Sequence, residues 1–120
     1  MRFRPQDPPR EFEVGYGETI VMRDCGRVEL DADEQVTFTT ESGAEYDVAR
    51  KSWGFYATPS LNGRLTGFGL RGVLVRNRIG RYFVLLVERS HEQEFDRYLK
   101  IEGLDVVRWL DTSEQLEQLG

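Results

Sequence analysis

A chain of 120 residues with 39% apolar and 12% aromatic side chains can bury one core, and is too short for two independent domains and a linker. Its net charge of −5 opposes non-specific binding to a long polyanion, and no stretch approaches the roughly 18 apolar residues of a membrane helix. The one cysteine, Cys25, excludes an intrachain disulfide and fits a reducing cytoplasm, and together with the one histidine, His91, it cannot furnish a zinc site.

Residues 1–10 hold three of the four prolines and alternate in charge, so a flexible N-terminal arm is expected ahead of a single α+β domain spanning 11–120. Short β-rich pieces follow, Phe12–Val14, Thr19–Arg23 and Val28–Leu30, separated by the turn chemistry of 15–17, 24–26 and 31–33. Val36–Thr40 and Tyr46–Arg50 alternate with period two around Gly43, which predicts a hairpin. This half reads as an antiparallel β-meander.

From Trp53 to Gly69 the glycines at 54, 63, 67 and 69 and Pro59 interrupt every period, and a long loop is expected. Leu70–Arg76 and Tyr82–Val87 are strands joined at 77–81, and because both are apolar on both faces they should be covered on each side. Ser90, with Gln93 three residues on, predicts a helix N-terminus, and Gly103 its stop. A strand at 105–110 and a short helix at 112–119 complete a C-terminal β-β-α-β-α unit.

The main functional signal is charge segregation. Positions 48–87 carry seven cations (Arg50, Lys51, Arg64, Arg71, Arg76, Arg78 and Arg81) and no acid, a charge of +7 that leaves −12 for the remainder. Aromatics, hydroxyls and an amide share that window, the mixture a ligand site needs. The residues expected to bind are Lys51, Trp53, Tyr56, Asn62 and Arg64 on the loop 51–64, with Arg76, Arg78 and Arg81 at the hairpin tip 76–81. Phe55 is expected to be a core plug instead. The competing account pairs the arginines with the chain's own 21 carboxylates.

The function expected is therefore that of a non-catalytic accessory module recognising an anionic small molecule, a glycan or other sugar-bearing ligand, or a protein partner. The alternatives are a small enzyme working through carboxylates, for which Asp24, Glu29, Asp31, Asp33 and Glu34 crowd one region, a single-strand nucleic-acid binder, disfavoured by the net charge, and a homo-oligomer, such as a homodimer, built on a sheet edge at Val36–Thr40 or Asp105–Leu110. No phosphate-loop, metal or catalytic signature is present in the sequence, so no cofactor is expected. Fourteen arginines against two lysines read as the bias of a GC-rich bacterial genome.

Overall fold

Three antiparallel sheets organise the chain in the computed structural model, which describes residues 1–119. The first is a two-stranded ribbon of β1 (Arg2–Val14) and β2 (Ile20–Glu29). Residues 1–10 are thus not an arm, since their register with β2 runs from Arg2 opposite Glu29 to Pro5 opposite Gly26 and resumes at Arg10 opposite Asp24. Pro8 and Pro9 fall inside that break, where a missing N–H costs no ladder bond. The same irregularity absorbs 24–26 into a continuous β2, where the sequence suggested a turn.

Both ends of the ribbon are tied down. The N-terminal ammonium lies 2.9 Å from Glu34 Oε1. At the other end Glu102, a buried carboxylate, accepts hydrogen bonds from the backbone N–H of Tyr16 at 2.6 Å and Gly17 at 3.1 Å. Acceptors of this kind satisfy turn amides that would otherwise be left without partners.

The second sheet has the order β3-β4-β5, from β3 (Gln35–Thr39), β4 (Glu45–Lys51) and β5 (Gly54–Ala57). The expected hairpin is present, with Val36 opposite Val48 and Phe38 opposite Tyr46. The expected long loop is not wholly irregular, because β5 folds back on β4 and a single turn, α1 (Arg64–Gly67), follows. Ser60 starts that turn, its Oγ accepting from Arg64 N at 2.9 Å and its carbonyl from Leu65 N at 3.0 Å. Leu65 is thereby driven into a core with Ala44 and Leu70, flanked by Tyr46, Leu61 and Leu86.

The third sheet has the order β7-β6-β8, with β6 (Leu70–Arg76) between β7 (Tyr82–Glu88) and β8 (Asp105–Trp109). On one face α2 (Glu92–Glu102) lays Phe95 and Leu99 on Val73, Val75, Val87 and Trp109. The opposite face receives Leu61 against Gly72, which a side chain at that position would crowd. Gly103 ends α2 in the left-handed region at φ 67°, and Leu104 N returns to Leu99 O at 2.9 Å. Ser90, expected to cap α2, instead contacts the His91 ring at 2.9 Å and lies in a 3-10 turn, Arg89–His91. Thr112 does cap α3 (Ser113–Glu117), accepting from Gln115 N at 3.2 Å.

The whole is the expected α+β fold, strands first and then β-β-α-β-α. The expectation that both long apolar strands are covered on each side holds for β6 alone. Strand β7 is at the sheet edge and leaves Tyr82 and Val84 57% and 59% exposed. Among the described residues no helix is long and apolar enough to cross a membrane.

Candidate functional site

The two segments expected to form one site sit on different sheets. Lys51 Nζ pairs with Asp33 Oδ1 at 2.5 Å at the end of β4. Trp53 stands at the β4–β5 turn and Tyr56 on β5, 71% and 51% exposed, so both are free to meet a ligand. Phe55 is equally open at 71% and is not the plug expected, since it lies on the edge strand β5.

Arg64 and Asn62 are engaged internally. Arg64 Nη2 donates to the buried Asp47 at 3.0 Å, a carboxylate that also accepts from Thr37 Oγ1 at 2.6 Å, and its guanidinium stacks 5.2 Å from the Phe68 ring centre. Asn62 Nδ2 donates to Ser113 Oγ at 3.0 Å. Both contacts fasten the 58–67 segment to its neighbours.

At the tip, Asn77 Oδ1 accepts from Ile79 N and Arg81 N, which shapes the turn. Arg78 lies flat against Gly103, Arg76 comes within 3.9 Å of Asp105, and Arg81 is exposed. Arg71 is wholly structural. It donates from Nε to Asp111 at 2.7 Å and from Nη1 to Glu92 at 2.8 Å, and its guanidinium lies 3.9 Å from the centre of the Trp109 ring. The Asp111 bond, followed by Glu92, raises its already high pKa.

A different convergence of cations appears where the base of the ribbon meets the β4–β5 hairpin. A cleft of about 610 Å³ opens there, lined by Arg2, Arg4, Arg27, Arg50 and Phe55, with Glu29 and Asp31 as its carboxylates. Arg2 pairs with Glu29, and Arg50 Nη1 donates to Leu30 O at 3.1 Å. Arg4 and Arg27 face each other in register, and among the described residues neither has a carboxylate within 4.0 Å. Like charges directly opposed on paired strands are unfavourable unless an anion lies between them.

The carboxylates considered for catalysis are matched to cations instead: Asp24 with Arg10 at 3.3 Å, Glu29 with Arg2, Asp33 with Lys51, and Glu34 with the N-terminal ammonium, which also lies 4.0 Å from Asp31. Glu34 is held below the usual carboxylate range, chiefly by the ammonium bond and then by the Asp31 N–H, the opposite of what a general acid needs. Ser90, His91 and Glu88 also meet, but Ser90 Oγ at 2.9 Å and Glu88 Oε2 at 3.1 Å both contact Nδ1. A proton relay needs one contact on each ring nitrogen. Among the described residues no cluster of three metal-ligating side chains occurs.

Sequence reasoning missed Arg2, Arg4 and Arg27 because they lie outside the acid-free window. The available signal was the period-two spacing of Arg2 and Arg4, which puts both on one face of a strand once 1–10 is read as one. No protein-family model, no curated protein and no solved structure matches this chain.

Proposed function

We propose that this protein is a non-catalytic binding module that takes a small anionic ligand, a carboxylate or phosphate, in the arginine cleft. The observation that carries the reading is the cross-strand pair Arg4 and Arg27, held in fixed register without carboxylate partners. Two guanidinium groups positioned by the backbone offer forked donors to an anion at little ordering cost. Arg50, oriented by the Leu30 carbonyl, closes the third side. Phe55 at the rim offers a flat face to a ring carried by the ligand, such as a nucleobase or sugar, and Trp53 at the adjoining turn extends that surface.

The test is a thermal-shift and calorimetric titration with inorganic phosphate, citrate and a sugar nucleotide, on wild type and on Arg4→Ala/Arg27→Ala. A ligand at 100 times its Kd should add about 2.7 kcal/mol, and the double variant should lose that gain while keeping wild-type stability without ligand. Phe55→Ala should weaken the sugar nucleotide and leave phosphate unchanged. Undiminished binding of all three compounds by the arginine variant, or no binding by wild type, would overturn the assignment.

A further inference from the structure

We infer that this chain pairs with a second copy of itself through β7, joining the two three-stranded sheets into one six-stranded antiparallel sheet. Among the described residues β7 is hydrogen-bonded only to β6, so its other edge has no strand beside it. From Tyr82 to Val87 it carries no charge and no proline. The opposite edge of the same sheet is guarded, since β8 is five residues long, carries Asp105 and Arg108, and meets β6 through an irregularity at Leu74/Val75. Proteins blunt edges in this way when the edge is to stay unpaired. β7 has none of these devices.

The surroundings of β7 fit an added strand. A groove of about 510 Å³ runs along it, bounded by Leu85, Leu86 and Val87 on the strand and by His91, Phe95 and Tyr98 at the start and middle of α2. Tyr82, Phe83 and Val84 are all about half exposed, although a strand apolar on both faces belongs to the interior of an assembly.

The chain as a whole exposes more surface than a compact monomer of its mass. The accessible surface is 8778 Å², whereas a monomer of 13.9 kDa is expected to expose about 6,700 Å². The excess, about 2,100 Å², is spread over the whole chain and leaves ample apolar surface for the roughly 800 Å² that each partner buries in an interface of standard size. The radius of gyration, 16.0 Å, also exceeds the roughly 14 Å of a compact chain of this length.

A second copy fits better than an unrelated strand because β7 is self-complementary. Arg81 precedes it, and its other end lies beside the exposed Glu94 of α2, Glu88 itself being engaged with His91, so an antiparallel mate related by a two-fold axis sets the cationic end of each strand toward the acidic end of the other.

Sedimentation equilibrium from about 1 to 100 μM tests the inference, with wild type expected to reach twice 13.9 kDa at the upper end and to dissociate toward the lower. Val84→Lys, a change at an exposed position of β7, should yield a monomer with an unchanged far-ultraviolet spectrum, while Val107→Lys on the β8 edge should remain dimeric. Hydrogen exchange adds a readout independent of the variants, since the outward amides of β7 should be protected in the dimer at 100 μM and exchange quickly at 1 μM. A wild-type monomer with unprotected β7 amides at 100 μM would overturn the proposal. So would a dimer that survives Val84→Lys, or one that is broken by Val107→Lys.

Discussion

Replacing Arg71 by Met should cost about 3–4 kcal/mol of stability. The figure comes mainly from Asp111, whose side chain is only 9% exposed and would lose its donors at 2.7 and 3.5 Å. Breaking a buried charge pair by removing one member typically costs about 3–5 kcal/mol, and the lower part of that range applies because Arg71 itself is 23% exposed. The bond to Glu92 adds about 0–1 kcal/mol, since Glu92 is 45% exposed. The stacking on Trp109 at 3.9 Å adds about 1 kcal/mol, of which Met keeps the apolar part. Urea unfolding followed by tryptophan fluorescence measures the sum, and at a slope of about 1.5–2 kcal/mol/M the midpoint should fall by about 2 M. The decisive comparison is Arg71→Met in an Asp111→Leu background, where no carboxylate remains to be orphaned and the loss should shrink by at least half. A loss below about 1 kcal/mol in wild type, or an undiminished loss in the Asp111→Leu background, would show that Asp111 does not depend on Arg71.

Gly103→Ala should destabilise by at least about 1–2 kcal/mol in thermal unfolding, because φ is 67° and the new methyl would also meet Arg78; an Arg78→Ala partner substitution should recover only the steric part. Glu102→Ala should speed hydrogen exchange at Tyr16 and Gly17 by at least about tenfold while leaving β6 amides protected, since the carboxylate holds the ribbon turn and not the core. Acid should weaken the fold through Glu88 and Glu34, both held below their ordinary 4.5, Glu88 by the Thr40 and Ser42 hydroxyls first and Glu34 by the N-terminal ammonium first. A depressed carboxylate contributes stability that is present above 4.5 and lost as pH falls through its folded value, so Glu88→Gln should flatten the decline measured by urea midpoints from about pH 5 downward.

Where local chemistry and tertiary packing agree, the sequence is a sufficient guide. The Val36–Thr40 hairpin, the 70–88 strand pair and the stop at Gly103 each rest on residues whose preference the fold keeps. The ribbon was illegible for a physical reason. Its prolines and charges read as an unfolded arm, but two of those prolines occupy the one stretch where β1 leaves its ladder, and the strand is secured by contacts 33 and 86 residues away, at Glu34 and Glu102. Periodicity within ten residues cannot register such partners. Ser90 failed as a cap for a similar reason, since its hydroxyl found the neighbouring imidazole before the helix began.

The same distinction governs the site. The acid-free window is real, yet a one-dimensional run of charge says nothing about which carboxylates fold onto it. Arg71 meets Asp111 across 40 residues and Arg64 meets Asp47 across 17, so both arginines are spent on the fold. Arg4 and Arg27, two cations without a carboxylate within 4.0 Å that share one cleft, lie in a part of the chain whose overall balance is acidic, and only strand register brings them face to face. An anion site is defined by positive charge the protein has left uncompensated, which is a property of pairing and not of composition. By that criterion the ribbon base, with Arg50 and the open ring of Phe55 supplied by the window, is where a ligand would recover the most electrostatic free energy.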